Sequence, residues 1–107
     1  MTGEVKVLVY ASDGGAETGA VSTAYHEVSL SLAATPGLLR NQLLRSVHDR
    51  DRFVVMSEWA DLTAFTSWEE GAAHRDVTAP LRPLQDGADR GVFGIYEVVA
   101  EYRAGTS

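Results

Sequence analysis

The chain has 107 residues, of which 45% are hydrophobic and 22% charged, the size and composition of one globular domain. Its net charge is −6 and its nine basic residues form no cluster, which argues against a nucleic-acid or anionic-membrane partner. The absence of cysteine excludes a disulfide framework, and no signal-peptide pattern or membrane-spanning apolar run is present. We therefore expect a single cytoplasmic domain over residues 1–107.

The first half of the sequence predicts a strand, then a helix. Alternation over Glu4 to Ala11 leaves both faces apolar, which is typical of a strand covered on both sides. From about residue 16 to residue 34, apolar residues recur at helical spacing, and Pro36 and Gly37 end this helix. The stripe consists of Val21, Tyr25, Val28 and Leu32.

The second half predicts three strands and a second helical region. Strands are expected from Leu38 to Val47 and from Phe53 to Trp59, joined by a polar link over 48–51. Asp61 can cap the next helix, which Gly71 interrupts. A short helical piece over 72–77, a loop over 80–91 and a last strand over 92–102 complete the chain.

This order of elements is β-α-β-β-α-β, the ferredoxin-like split β-α-β arrangement of the α+β class. Such a sheet carries its helices on one face. Because the strands are mostly apolar on both sides, we expect a second copy to cover the other face and close a dimeric α/β barrel.

Three polar residues in the first half are candidate site residues. Asn41 interrupts an apolar face of the second strand between Leu39 and Leu43, so its amide must be hydrogen-bonded, to substrate or at an edge or dimer contact. Tyr25 lies on the apolar stripe, and its hydroxyl needs a substrate or a backbone carbonyl as partner. His26, beside that stripe, faces either a pocket or solvent.

The middle of the chain, about residues 36–76, resembles the antibiotic biosynthesis monooxygenase family. The residues that carry the resemblance are a Pro-Gly start to strand two, the Ser57-Glu58-Trp59 end of strand three, Phe65-x-x-Trp68 on a helix, and His74 nearby. The segments 78–83 and 93–98 resemble, more narrowly, the angucycline ring-opening oxygenases within this family.

The resemblance implies an oxygenase of aromatic polyketide tailoring. Its preferred version is oxidative C–C ring opening of an angucyclinone with O₂ and reduced flavin (FADH₂ or FMNH₂), with a flavin reductase as a further partner. The sequence offers no metal-ligand cluster, and the first strand lacks the Asn with which haem-degrading relatives contact haem, so we expect neither metal nor haem.

The resemblance also assigns roles to individual residues. His74 is the candidate base or oxyanion partner, and a surface histidine is the alternative reading. Trp68 is assigned with His74 and Asn41 to catalysis. Substrate-binding roles are expected for Tyr25, His26, Trp59, Arg82 and Tyr96, although Trp59 fits core packing better than a pocket, and an exposed arginine is the alternative for Arg82.

Three other functions fit the same sequence. One is a cofactor-independent anthrone or phenol monooxygenase, and one is a non-oxidative polyketide cyclase or isomerase that uses His74 and Tyr25 for proton transfer. The third is a non-catalytic ligand-binding dimer. Oxygen uptake during turnover separates the oxygenases from the other two.

Overall fold

The structure, a computed structural model, describes residues 3–13, 19–71, 78–85 and 93–105. These residues form one four-stranded antiparallel sheet in the order β2-β3-β1-β4, with two α-helices. The elements are β1 (Val5–Ser12), α1 (Ala20–Leu32), β2 (Leu38–Arg45), β3 (Arg52–Trp59), α2 (Leu62–Glu69), a 3₁₀ turn (Arg82–Leu84) and β4 (Phe93–Glu97). The predicted ferredoxin-like α+β fold is confirmed.

Both helices cover the same face of the sheet. Strand alternation places Val5, Val7 and Ala11 on this face, where all three are buried. Val21, Ala24, Val28 and Leu32 of α1 pack around Ala11, Phe53 and Val55, and Phe65 of α2 packs with Val5, Val7 and Trp59. The sheet therefore has a helix-facing side, which holds the core, and an open side.

The open side carries the alternate residues of each strand. Leu8 lies opposite Met56, Tyr10 opposite Val54, and Lys6 opposite both Glu58 and Tyr96. Arg40 and Glu58 form a cross-strand ion pair with 3.8 Å between Nε and Oε2. Within the described residues no element covers this apolar but charge-edged surface.

Asp13 fixes the start of α1. Its buried carboxylate accepts hydrogen bonds from the backbone N–H groups of Gly19 (3.2 Å) and Val21 (2.8 Å), which the helix itself leaves without partners. The Asp13 N–H also donates to the Asp51 carbonyl at 2.9 Å. One residue thus ties β1, α1 and the β2–β3 connection together.

Gly37 permits the close approach of β2 to α2. Its φ of +85° lies in the left-handed region, and a Cβ at this position would clash with Ala64. Its carbonyl accepts a hydrogen bond from the Ala60 N–H at 2.8 Å. The predicted role of this glycine in redirecting the chain is therefore confirmed.

Three predicted boundaries were too generous. The helix begins at Ala20, because Gly19 has a φ of +90° and the Asp13 carboxylate takes its N–H. β2 ends at Arg45, because the Ser46 hydroxyl accepts the N–H groups of His48 and Asp49 and turns the chain. β4 ends at Glu97, which pairs with Val5, the first residue of β1.

Two further expectations differ in detail. Pairing shifts between Leu38 and Arg40, so Leu39 is the bulged residue and Leu38, rather than Leu39, shares the helix-facing side with Asn41 and Leu43. The predicted loop over 80–91 contains the 3₁₀ turn, and its residues 86–91 lie outside the described part, as does the predicted helical piece over 72–77. No helix among the described residues is long and apolar enough to cross a membrane.

We expect Asp13→Ala to lower the free energy of unfolding by about 1–2 kcal/mol, since it leaves two N–H groups at the start of α1 without an acceptor. Urea unfolding followed by circular dichroism measures this. Glu27→Ala, an exposed acidic position on the same helix, is the control and should change stability by less than about 0.5 kcal/mol. Equal stabilities for both variants would contradict the assigned role of Asp13.

Candidate functional site

Asn41 lies on the helix-facing side of β2, directly opposite Ser57 of β3. Its Nδ2 donates a hydrogen bond to Ser29 Oγ of α1 at 2.8 Å. Its Oδ1 is buried and has no hydrogen-bond partner among the described residues. A buried acceptor without a partner costs about 1–3 kcal/mol, so this atom is a candidate contact for a ligand.

Tyr25 joins α1 to the same point of β2. Its hydroxyl donates to the Asn41 carbonyl oxygen at 3.0 Å, so the hydroxyl has the backbone partner that the sequence allowed as one alternative. Tyr25 and Ser29 are four residues apart, and one helical turn therefore places both over Asn41. His26 is exposed and contacts the Tyr25 ring edge-to-face, with 5.3 Å between the ring centroids.

An aromatic group lies next to this polar group. Trp59 is buried, and its ring centroid lies 5.4 Å from that of Phe65 and 5.5 Å from that of Trp68. Trp59 Nε1 donates to Ser57 Oγ at 2.9 Å. Trp68 is only partly buried and packs against both core clusters, so it borders the core rather than lying inside it.

These residues form one continuous strip on the helix-facing side. Asn41 lies opposite Ser57 on the neighbouring strand. Ser57 accepts a hydrogen bond from Trp59, and the Trp59 ring packs on Trp68. We call this group the polar–aromatic strip; it comprises Tyr25, Ser29, Asn41, Ser57, Trp59 and Trp68. The structure therefore brings together four of the residues singled out in the sequence.

Two predicted site residues lie away from the strip, and the side chains of two others lie outside the described part of the structure. Tyr96 is 55% exposed and lies opposite Lys6 on the open side of the sheet, while His26 faces solvent. Arg82 belongs to the 3₁₀ turn, and its side chain is not among the described groups. His74 lies outside the described residues, so its role stays a prediction.

The sequence reasoning missed Ser29 and Ser57. Ser57 stands between Val55 and Trp59 in the buried alternation of β3, and the argument that singled out Asn41 applies to it equally. Ser29 lies one helical turn after Tyr25, a spacing that places two side chains on one face. Both signals were present in the sequence.

The described residues also bear on cofactors. They contain no group of three or more His, Cys, Asp or Glu side chains that could hold a metal ion. Flavin phosphates often bind at a helix N-terminus. Here Asp13 occupies that end of α1, and Asp61 Oδ1 accepts the Ala64 N–H at 2.8 Å at the start of α2. At the start of each described α-helix a carboxylate therefore already accepts at least one backbone N–H group.

Residues 8–79 match the antibiotic biosynthesis monooxygenase family, which is more than half of the chain. The chain belongs to this family. The resemblance of the middle of the chain to this family is thereby confirmed, and the narrower likeness to the angucycline ring-opening oxygenases stays a prediction.

A curated relative of this family member is protein SchA of Streptomyces halstedii. The two are 31% identical over 85 residues, which covers 79% of this chain and 22% of SchA. The chain thus spans about a fifth of the length of that relative.

Solved structures share the fold at lower identity. SnoaB, a cofactor-independent oxygenase from Streptomyces nogalater, has a TM-score of 0.74 and 18% identity, covering 94% of this chain and 97% of SnoaB. A haem-degrading protein from Mycobacterium tuberculosis has a TM-score of 0.66 and 20% identity, covering 94% and 99%. Because one fold serves such different chemistry, the reaction depends on the side chains of the site.

We expect Asn41→Leu to change stability by less than about 1 kcal/mol. The loss of a buried acceptor that has no partner among the described residues, together with added apolar contact, offsets the loss of the Nδ2–Ser29 hydrogen bond. Thermal and urea unfolding measure this. Ser31→Leu, which also replaces a polar residue but at an exposed position of α1, is the control and should have a small effect. A loss of more than about 2 kcal/mol for Asn41→Leu alone would identify the amide as structural.

Proposed function

We propose that the chain is an oxygenase that uses O₂ to oxidise a polycyclic phenol of the aromatic polyketide class at the polar–aromatic strip. The observation that carries this proposal is the buried Asn41 Oδ1, which has no partner among the described residues and lies on the strand pair whose Ser57 is bonded to Trp59. A phenol supplies the hydrogen-bond donor that Oδ1 lacks. It also has a flat apolar surface that packs on indole rings.

The electrons of such a reaction balance without a cofactor. A phenol deprotonated in an apolar site passes electrons to O₂; one oxygen atom replaces the ring C–H hydrogen and becomes the quinone carbonyl, and the other leaves as water with the two hydrogens. The substrate itself is the reductant. The protein therefore has to bind and orient the phenol, accept its proton and exclude water.

Asn41 can serve the phenol in both protonation states. The Ser29 hydroxyl is able to accept from Nδ2, as observed, or to donate to Oδ1 after the amide turns over. In the first arrangement Oδ1 is available to the phenol O–H, and in the second Nδ2 is available to an oxyanion. Since Oδ1 is covered by protein, a neighbouring side chain must move to admit the phenol, and the partly exposed Trp68 is suited to this.

Proton removal is assigned to His74 in this proposal. The assignment rests on the family resemblance, because an amide such as Asn41 does not act as a base at neutral pH. Trp68 supplies a wall of the site, and Tyr25 holds β2 in place through the Asn41 carbonyl. Arg82 and Tyr96 remain predictions for contacts beyond the strip.

The ring-opening version adds reduced flavin, delivered by a flavin reductase, as the reductant of O₂. It rests on the likeness of residues 78–83 and 93–98 to angucycline ring-opening oxygenases. A carboxylate at the start of each described α-helix repels a phosphate there, which supports the version without a bound flavin. Requirement for flavin is therefore one arm of the test.

The test is oxygen consumption with an anthrone under air, under nitrogen, and with or without reduced flavin. We expect O₂ uptake without flavin and a product that carries one labelled oxygen atom when labelled O₂ is used. Asn41→Leu should lower the rate at least about tenfold, as loss of a hydrogen bond in the transition state predicts. Ser31→Leu, at an exposed position of α1, should keep the wild-type rate.

Each other outcome has a distinct meaning. Uptake only with reduced flavin supports the ring-opening version. An altered product without O₂ uptake supports a cyclase or isomerase, and binding without turnover supports a ligand-binding dimer. A product without O₂ uptake, or binding without turnover, would contradict the proposed oxygenase.

We also propose that a second copy of the chain covers the open side of the sheet. That side presents apolar residues in the middle of the strands and opposite charges beside them, a composition suited to a self-complementary contact. Leu44 is 42% exposed there and Tyr96 55%. Pairing would place Tyr96 in the interface rather than in the solvent.

Analytical ultracentrifugation tests this dimer. Met56→Lys places a charge at the centre of the open side, and we expect it to shift the chain from dimer to monomer, because an unpaired buried charge is costly. Leu30→Lys, on an 83% exposed position of α1, is the control and should stay dimeric. A monomeric wild type would contradict the proposal.

A further inference from the structure

Ser57 is a polar residue in an otherwise apolar row of β3. On the helix-facing side of this strand its neighbours Phe53, Val55 and Trp59 are all buried. Its oxygen accepts the Trp59 indole N–H at 2.9 Å. The structure records no described atom that receives the Ser57 hydroxyl hydrogen, so this hydroxyl has a donor to offer.

We propose that Ser57 is a further substrate-contacting residue, which donates its hydroxyl hydrogen to the oxygen of the phenol whose own hydrogen Asn41 accepts. This inference rests on the proposed function, since it concerns the same strip. It adds a second group and a specificity: the site selects a free phenolic hydroxyl over the corresponding ether.

The register of the sheet supports this pairing. Asn41 and Ser57 are directly opposite on neighbouring antiparallel strands, which sets their Cβ atoms about 4.5–5.5 Å apart on one face. A single hydroxyl oxygen placed between their side chains can donate to Asn41 Oδ1 and accept from Ser57 Oγ. A methyl ether lacks the hydrogen for Asn41 and adds a methyl group at the point of closest contact.

The Trp59 bond makes Ser57 suited to an anion. A hydroxyl that already accepts a hydrogen bond is polarised and becomes a stronger donor. When the phenol loses its proton, the bond from Ser57 becomes charge-assisted and strengthens, whereas its bond to Asn41 Oδ1 is lost. Ser57 therefore stabilises the phenolate, the form that transfers electrons to O₂.

The experiment is an anaerobic titration of the whole chain with a hydroxyanthraquinone, which is already a quinone and whose phenol and phenolate forms differ in visible absorption. Quenching of tryptophan fluorescence gives the affinity, and the absorption spectrum gives the bound phenolate fraction. We compare Ser57→Ala with Ser57→Thr, which keeps the hydroxyl and suits a strand, and with Ser67→Ala, an exposed serine of α2.

We expect Ser57→Ala to weaken binding about tenfold and to lower the bound phenolate fraction, while Ser57→Thr and Ser67→Ala stay close to wild type. The O-methyl ether of the ligand should bind wild type about tenfold more weakly than the phenol, because it has no hydrogen to donate to Asn41 Oδ1.

An unchanged affinity and phenolate fraction in Ser57→Ala would overturn the inference, as would the absence of any binding to wild type. Oxygen consumption with an anthrone decides the proposed function separately, because it does not depend on this titration. If circular dichroism shows Ser57→Ala unfolded, Ser57→Cys replaces it under the same criteria, since its sulfur still accepts from Trp59 but is a weak donor.

Discussion

The link between α1 and β2 at Asn41 is the contact on which the rest of the site depends. Tyr25 donates a hydrogen bond to the Asn41 backbone carbonyl, and Ser29 accepts one from the Asn41 side chain. Both contacts to the strand therefore come from one turn of α1. This arrangement uses Nδ2 and leaves Oδ1 buried without a described partner. An apolar residue at this position would suit the core better, and this is why we propose that the amide binds a ligand.

The rest of the fold holds that link in place. Asp13 fixes the first turn of α1, and Gly37 brings the start of β2 close to α2. Because the chain is fixed both before α1 and before β2, α1 lies along the helix-facing side of the sheet. Trp68 of α2 packs against the same core cluster. The core and the strip are thus built from the same side of one sheet, and no described element covers the other side.

Much of the fold was predictable from the sequence because strand and helix periods differ, and apolar residues followed them closely. Boundaries were less predictable where a single tertiary contact decided them. The start of α1 depends on the Asp13 carboxylate, and the end of β4 at Glu97 depends on its pairing with Val5, the first residue of β1. The bulge at Leu39 changes which leucine shares a face with Asn41, and the alternation of residues along β2 does not predict this bulge.

The site was predictable only in part. Asn41 and Tyr25 stood out as polar groups on apolar faces, and the structure brings both into contact. Ser57 is also a polar residue on an apolar face, but its side chain is small, so the sequence pattern singles it out less clearly. Tyr96 was assigned by likeness to a family segment, and the sheet register places it on the open side, away from the strip.

The most direct test of this account is a crystal structure of the chain with a hydroxyanthraquinone, prepared without oxygen. We predict that its phenolic oxygen lies within hydrogen-bond distance of Asn41 and Ser57 on the helix-facing side, with the rings against Trp68. A ligand bound against Tyr96 on the open side of the sheet, with Asn41 Oδ1 still unpartnered, would contradict it.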